Sequence, residues 1–585
     1  MTTKTPSLLL TLGFALTAAC TGPADEAAAP AMNGSADAGS EQDAGPGAEP
    51  GTQIAQIAYI KASNAGFGDN FGAGSSAIGD NAVSLSADGM TLAVGAPFES
   101  SGAAGIDGDQ ADDALYGAGA VYVFVPRGDT WVQQAYIKAS NPGITDNFGF
   151  ATALSADGNT LVVSAHFEAS GDTGVDADQN DDSIPQAGAA YVFTRTDTTW
   201  AQQAYIKASN TGHVGERLDP DEQPDLAGEH FGPIASGEYS YADSYGEMFD
   251  DGDQFGAAIA LSDDGNTLVV TATAEDSGTP GVNSDQADNS KRSAGAAYVF
   301  RRTGATWSQT AYIKPSNPEV DALFGYSAAL SADGTRVAIG GYDEDGSPDS
   351  TNEFQDGLVR GTGAVYVFDF DGETWHQTGY LKASNAERGD SLGVAVVISD
   401  DGNTVIATAQ DEDGLSTGIN NIPGPDYQDD IRPTTGAVYV FVEEDGTWSQ
   451  QAYIKASNTG SGDVFGSRLA VSGNGNVLVV GAQLEDSASQ GIDGFQDDDS
   501  ALEAGAVYLF TRSGDTWVQE AYVKGSNTEI FDEFGSSVSI SADGSVFAVG
   551  AYYEDSAATG IGGDQSDNSI LEAGAVYLFR RLVNE

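Results

Sequence analysis

A phrase close to Ala-Tyr-Ile-Lys-Ala-Ser-Asn recurs seven times, starting at positions 58, 135, 204, 311, 379, 452 and 521 of the 585-residue chain. Self-similarity at a period of about 70 residues means that each copy is one structural unit, which cannot bury its apolar face alone. Every copy contains four short apolar runs separated by Gly, Asp and Asn, as in 148–154, 160–165, 188–193 and 199–207. Runs of this kind are typical of β-strands, and no segment of the repeat competes as a helix.

The four runs differ in ways that fix their places in a ring of sheets. The third, seen at 119–124 and 505–510, is apolar on both faces, so its strand must be covered on both sides. The first is rich in small residues, as expected where strands crowd toward an axis. The fourth carries a tryptophan large enough to cover an outer seam, at Trp131, Trp200, Trp307, Trp375, Trp448 and Trp517. The chain is therefore predicted to be all-β, a seven-bladed β-propeller of four-stranded blades.

The two ends of the repeat region indicate how the ring closes. The chain stops soon after the third run of the last copy, which has no fourth run of its own, whereas the first copy is preceded by a spare one. We expect residues 53–63 to pair beside 573–580 and complete the last blade, which removes the open sheet edges. The same arrangement explains why seven copies carry six tryptophans. The propeller is assigned to residues 53–585.

The repeat resembles the FG-GAP repeats of integrin α-subunit propellers and their bacterial relatives. The resemblance rests on Phe-Gly before the first run, a Gly-Ala pair in the second, and Gly-Ala-Val-Tyr-Val-Phe in the third. Phe-Gly occurs at 148, 255, 324, 465 and 534, and Leu-Gly replaces it at 392. The resemblance implies a propeller fold but leaves function open, because one fold supports many activities. The family's calcium loop, in the hairpin between the first two strands, is absent here: these turns, such as Ser155-Ala156-Asp157-Gly158, carry one carboxylate each.

Carboxylates gather instead in the loop between the second and third strands. Calcium needs six to eight converging oxygens and a backbone that bends, and alternating Asp, Asn and Gly residues can supply both. The candidate ligands are Asp107, Asp109, Asp112, Asp176, Asp178, Asp181, Asp285, Asp288, Asp493, Asp497, Asp564 and Asp567. Calcium is the one cofactor predicted. The alternative is that these side chains only form turns and solvate the loops.

Alternating strand directions place these loops on the same face as the loops between blades. That face is predicted to be acidic and adaptable, and to receive the ligand or partner. An insertion in the third copy, residues 212–248, is expected to lie on this face. The fifth copy also contains Arg388-Gly389-Asp390, the tripeptide that animal integrins recognise in their ligands, although Gly-Asp recurs at this position in other copies.

The N-terminus has the pattern of a bacterial lipoprotein. Residues 1–20 resemble an export signal that ends in a lipobox, and Cys20, the only cysteine, is predicted to be lipidated. Residues 21–52 are rich in Ala, Gly, Pro and acidic residues, which is typical of a flexible tether. We therefore expect an exported protein, attached to the outer membrane only through its lipid, on the periplasmic or the cell-surface side.

The composition of the chain excludes several classes of binding partner. The formal net charge of −64 repels nucleic acid and anionic lipid headgroups. The four histidines occupy unrelated positions, no free cysteine nucleophile is available, and no phosphate loop is found, so we predict no catalytic residues. The leading hypothesis is a binding or adhesion module for an unidentified protein or polysaccharide. The alternatives are a self-associating envelope scaffold and, further away, a propeller hydrolase or lyase; the oligomeric state is left open.

Overall fold

The computed structural model describes residues 52–73, 81–212, 252–347, 359–422 and 434–583. They form 28 strands in seven four-stranded antiparallel sheets, arranged as the blades of a β-propeller. Within the described residues no helix is long and apolar enough to cross a membrane. The predicted fold class is confirmed. Cys20, residues 21–51 of the predicted tether and residues 213–248 of the insertion lie outside the described residues, and Thr52 belongs to the first strand and not to the tether.

Each blade runs outward from the axis in chain order. Blade 1 contains β2 (Val83–Leu85), β3 (Leu92–Ala96), β4 (Ala120–Arg127) and β5 (Thr130–Ile137). Blade 2 contains β6 (Thr152–Leu154), β7 (Thr160–Ala165), β8 (Ala189–Thr196) and β9 (Thr199–Ile206). Blade 3 contains β10 (Phe255–Leu261), β11 (Thr267–Ala272), β12 (Ala296–Thr303) and β13 (Thr306–Ile313). Blade 4 contains β14 (Phe324–Leu330), β15 (Arg336–Gly341), β16 (Ala364–Phe370) and β17 (Trp375–Leu381).

The remaining blades repeat the order, except for the outermost strand of the last. Blade 5 contains β18 (Leu392–Ile398), β19 (Thr404–Ala409), β20 (Ala437–Glu444) and β21 (Thr447–Ile454). Blade 6 contains β22 (Arg468–Val471), β23 (Val477–Ala482), β24 (Ala506–Ser513) and β25 (Thr516–Val523). Blade 7 contains β26 (Phe534–Ile540), β27 (Val546–Ala551) and β28 (Ala575–Val583), and its fourth strand is β1 (Thr52–Ile60).

The N-terminal strand closes the ring as predicted. β1 pairs antiparallel with β28, from Thr52 opposite Val583 to Ile60 opposite Val576. The outer edge of β28 is therefore covered, and an open, aggregation-prone edge is avoided.

The apolar core lies between blades. In the seam of blades 1 and 2, Val121 and Val123 pack with Leu161, Tyr191 and Trp200, all buried. The Trp200 indole N–H also crosses the seam, donating to Oε1 of Gln134 on blade 1 at 3.0 Å. The tryptophans do cover the outer seams, and each blade buries its apolar surface only against its neighbours.

At these seams the glycine before a third strand meets the Phe-Gly motif of the next blade. Gly119 lies just before β4 with φ of 79°, and a Cβ there would lie 2.0 Å from the carbonyl oxygen of Phe148 in the next blade. The Phe148 amide donates to the Ala118 carbonyl at 3.2 Å. Only glycine allows this approach, because it lacks Cβ and adopts positive φ at little cost.

The hairpins between first and second strands form a continuous ring of seven backbone hydrogen bonds. In each, the amide of one turn donates to a carbonyl of a neighbouring turn at 2.8–3.1 Å. The bonds run from Ala87 to Ala156, Ala156 to Asp263, Asp263 to Ala332, Ala332 to Asp400, Asp400 to Gly473, Gly473 to Ala542 and Ala542 to Ala87. We call this side of the propeller the hairpin face.

Candidate functional site

The opposite side, which we call the loop face, carries the loops from second to third strands and the loops between blades. These two sets are in contact: the Asn141 amide, in the loop between blades 1 and 2, donates to the Gln179 carbonyl of the β7–β8 loop at 3.0 Å. Ser457 and Asn458 contact Gln496 in the same way in blade 6. The prediction that both sets emerge together is confirmed.

Beneath these loops each blade contains a buried Lys–Glu ion pair. In blade 2, Glu168 Oε2 accepts from Lys207 Nζ at 2.8 Å and from the Ser170 amide at 3.1 Å. Its Oε1 accepts from the hydroxyl of Tyr205 at 2.8 Å and from the Asn141 amide at 3.0 Å. The pairs are Lys61–Glu554, Lys138–Glu99, Lys207–Glu168, Lys314–Glu275, Lys382–Glu344, Lys455–Glu412 and Lys524–Glu485, at 2.6–2.9 Å.

These pairs explain the recurring phrase of the sequence. Tyr205 and Lys207 bind Glu168 of their own blade, and Asn210 of the same phrase binds Glu275 of the next blade. Burial lowers the pKa of Lys207, while the charge of Glu168 opposes that shift. Sequence reasoning missed the glutamates, although one follows the second strand in every copy. Because both carboxylate oxygens are saturated by protein donors, we assign the pairs to the fold and not to ligand binding.

The candidate calcium ligands fall into three sets. In the first, Asp107, Asp176 and Asp493 each accept the backbone N–H of a fourth-strand tyrosine at 3.1–3.2 Å. Asn283 and Asn420 make the same bond in blades 3 and 5 at 3.0 Å. A neutral amide thus serves equally well there, so this position does not require charge.

The second set, Asp109, Asp178, Asp285 and Asp564, accepts the backbone N–H two residues on, at 3.0–3.1 Å, which is an Asx turn. The third set, Asp112, Asp181, Asp288, Asp497 and Asp567, lies further along the loops, exposed or half-buried. Among the described residues, no three His, Cys, Asp or Glu side chains converge as a metal site would require.

The Arg388-Gly389-Asp390 tripeptide does not present its carboxylate to solvent. Asp390 is 3% exposed and accepts the Glu387 amide at 2.7 Å. Burial raises the pKa of Asp390 to about 8. The aspartate is part of a loop turn, and only Arg388 and Gly389 are exposed.

Exposed apolar side chains are concentrated on the loop face. Of the 14 large hydrophobic residues exposed in the described chain, Met90 lies on the hairpin face, and Val518 and Leu582 lie on outer strands. The other 11 belong to loop-face segments: Phe67, Tyr116, Ile144, Val320, Leu415, Ile422, Phe495, Leu502, Ile530, Phe531 and Leu571. Large apolar side chains exposed on one face of an acidic protein make that face the candidate interaction site.

The fold and this loop face define a seven-bladed β-propeller module. Residues 131–193, 448–510 and 517–579 match the FG-GAP repeat, and each match runs from a fourth-strand tryptophan to the third-strand phenylalanine of the next blade. Three stretches of this seven-bladed β-propeller therefore match the FG-GAP repeat.

No curated protein matches the chain significantly. Among solved structures, hydrazine synthase of Kuenenia stuttgartiensis is similar over 80% of this chain and 91% of its own, with 13% identity and a TM-score of 0.40. The periplasmic gluconolactonase of Pseudomonas aeruginosa is similar over 76% of this chain and 85% of its own, with 14% identity and a TM-score of 0.37. TM-scores this low carry no argument about function.

Proposed function

We propose that this protein is an exported, lipid-anchored binding module that captures a protein partner on its loop face and performs no catalysis. The observation that supports it is the placement of 11 of the 14 exposed large hydrophobic side chains on that one face. Seven of the 11 are aliphatic, and such side chains suit the apolar anchor residues of a protein better than the hydroxyl groups of a polysaccharide.

The net charge of the chain also limits which proteins it can bind. A net charge of −64 repels acidic proteins and steers basic ones toward the surface. The same charge opposes self-association, which makes the scaffold alternative the weaker one. The partner we propose therefore presents apolar side chains surrounded by Lys or Arg.

Seven of these 11 residues lie at three consecutive seams, between blades 6, 7, 1 and 2, and we call them the apolar sector. They are Leu502, Ile530, Phe531, Leu571, Phe67, Tyr116 and Ile144. Backbone hydrogen bonds hold the sector in place: Phe531 to Leu502 at 2.9 Å, Gly68 to Leu571 at 3.1 Å, and Thr145 to Tyr116 at 2.9 Å. Loops fixed in this way lose little entropy on binding, which favours affinity.

The test compares Phe67→Ser, Ile144→Ser and Phe531→Ser with the control variants Met90→Ser and Val518→Ser. Partners are captured from the envelope fraction by cross-linking, identified by mass spectrometry, and their affinities measured with purified protein. We expect each sector variant to weaken binding by about tenfold or more, and the controls to bind normally. Equal effects of sector and control variants would contradict the proposal, and a dimer in analytical ultracentrifugation would favour scaffolding.

A further inference from the structure

The three inter-blade loops of the apolar sector share one turn. In each, the side chain of an aspartate accepts the backbone N–H of the residue three positions before it. The bonds join Gly66 to Asp69 at 2.7 Å, Gly143 to Asp146 at 2.7 Å and Glu529 to Asp532 at 2.8 Å. These aspartates are only 5–6% exposed. Each turn is therefore closed from inside the protein by one carboxyl group.

The closed turns position every member of the apolar sector. Four members lie inside the turns, between the N–H donor and the aspartate, and all four are exposed: Phe67, Ile144, Ile530 and Phe531. The carbonyl groups of the other three accept N–H groups of the same turns, Leu571 from Gly68, Tyr116 from Thr145 and Leu502 from Phe531. The geometry of the binding surface thus depends on three buried carboxyl groups.

Two of the three turns hold a strained backbone. The third residue of each turn has positive φ, which is 70° at Gly68, 61° at Thr145 and 69° at Phe531. In the two equivalent turns outside the sector this residue is a glycine, Gly389 or Gly462. A β-branched or bulky residue keeps positive φ only when surrounding contacts impose it. A turn that loses its aspartate contact should therefore open.

The surroundings of the three carboxyl groups oppose their ionisation. Burial raises the pKa of each to about 7; neighbouring carboxylates add to that shift and lysines oppose it. These charged groups are Glu99, Asp113 and Lys138 at Asp69, Glu168, Asp182 and Lys207 at Asp146, and Glu529, Glu554, Asp555, Lys61 and Lys524 at Asp532. Burial also raises the pKa of the adjacent tyrosines, which stay neutral: Tyr59, Tyr122, Tyr136, Tyr191, Tyr205 and Tyr577.

Ionisation should shift each turn toward an open form. In an open turn the carboxyl group reaches water, and its pKa returns toward the ordinary value near 4. Desolvation penalises the charge only while the turn is closed. The closed turn is therefore most favoured below about pH 4, and that advantage is lost as the pH rises through about 7.

We propose that the apolar sector binds its protein partner only while Asp69, Asp146 and Asp532 are protonated, and releases it as the pH rises. This inference rests on the proposed function, because it concerns the regulation of the same surface. The three aspartates are positioning residues: they are buried and act through the turns, not by touching the partner.

The chain contains matched controls for these turns. Asp390 and Asp463 close equivalent turns, accepting the N–H of Glu387 at 2.7 Å and of Gly460 at 2.9 Å. Burial raises the pKa of Asp390 to about 8 and that of Asp463 to about 7. Their turns enclose Arg-Gly and Ser-Gly and present no large apolar side chain. Substitution there changes the same chemistry away from the apolar sector.

The probe is a synthetic amphipathic peptide of Leu and Lys, which has the apolar and basic chemistry of the proposed partner. Its affinity for the mature chain is measured by calorimetry at pH 5 and pH 8.5 and equal ionic strength. The test variant combines Asp69→Asn, Asp146→Asn and Asp532→Asn, because asparagine keeps an acceptor for the turn amide but cannot ionise. The control combines Asp390→Asn and Asp463→Asn. Melting temperatures confirm that both variants fold.

We expect the affinity of the parent chain and of the control to fall by about tenfold or more from pH 5 to pH 8.5. The test variant should bind almost equally at both. Added negative charge by itself would strengthen the binding of a basic peptide at pH 8.5, so the direction of the change separates turn opening from simple attraction. Affinity that is constant or rises with pH in the parent chain overturns the proposal, as does a control without pH dependence.

Hydrogen exchange tests the turns without any partner. After correction for intrinsic rates, the amides of Gly66, Gly143 and Glu529 should lose protection by about tenfold or more between pH 5 and pH 8.5. An ionised carboxylate is the stronger acceptor, so a turn that stayed closed would protect its amide better at high pH, which would overturn the proposal. Loss of protection without peptide binding at either pH would contradict the proposed function and still support the opening of the turns.

Discussion

The amide of Ala542 donates a hydrogen bond to the carbonyl oxygen of Ala87 at 2.9 Å, which joins the hairpin of the last blade to that of the first. Six similar bonds link the other hairpins, so the seven hairpins form a closed ring of backbone hydrogen bonds. The loop face instead exposes most of the large apolar side chains of the described residues. The hairpin face thus contributes to the stability of the ring, whereas the loop face is where we propose that a partner binds.

Removal of the closing strand tests the architecture. A chain that starts at residue 64 lacks β1 and the Lys61–Glu554 pair, so β28 gains an open edge and Glu554 loses its buried cation. We expect a lower melting temperature and concentration-dependent aggregation, measured by calorimetry and light scattering. A chain that starts at residue 51 is the control, and equal behaviour of the two would contradict ring closure by β1.

The buried ion pairs should be costly to break. Lys207→Met leaves Glu168 buried without its cation, and we expect a loss of about 3–5 kcal/mol in the free energy of unfolding, measured with guanidinium chloride. The added change Glu168→Gln should restore part of that loss. The control is Arg292→Met, which removes an exposed pair with Asp321 and should cost about 0–1 kcal/mol. Equal losses for the buried and the exposed pair would contradict this account.

Buried aspartates of the inter-blade loops should make the protein less stable as pH rises. Burial is the main cause that raises the pKa of Asp69, Asp146, Asp463 and Asp532 to about 7. An acid with a raised folded pKa contributes its full stability below the unfolded value near 4, and loses it as pH rises through about 7. The melting temperature should therefore be higher at pH 5.5 than at pH 8.5.

The matched variant for this pH effect is Asp146→Asn, which keeps an acceptor for the Gly143 amide but cannot ionise. We expect its melting temperature to fall less between the two pH values than that of the parent chain. An unchanged difference would mean that Asp146 does not titrate in this range.

Lipidation is tested at Cys20, outside the described residues. Mass spectrometry of the mature protein should show a lipid on an N-terminal Cys20, and Cys20→Ala should release the chain from the membrane fraction. Cys20→Ser, which is also unable to form the thioether, serves as the second variant. A parent chain found without lipid would contradict the prediction.

Calcium stays a prediction. If the β3–β4 and equivalent loops bind it, millimolar CaCl₂ should raise the melting temperature more than NaCl at equal ionic strength, because only a site-bound ion stabilises beyond screening. Asp109→Asn with Asp178→Asn should reduce that difference. Equal effects of the two salts would contradict calcium binding. These aspartates would then form only the turn hydrogen bonds described above.

The sequence by itself determined the number of blades, the strand order and the closing strand, because strand period, glycine positions and the missing seventh tryptophan are local signals counted along the chain. Only the tertiary structure showed what the recurring Tyr, Lys and Asn bind, since Lys207 and Glu168 are 39 residues apart and meet only in the folded blade. It also decided that Asp390 is buried. The loops that carry most of the exposed apolar side chains lie on one face only because the ring brings separate copies together around one axis.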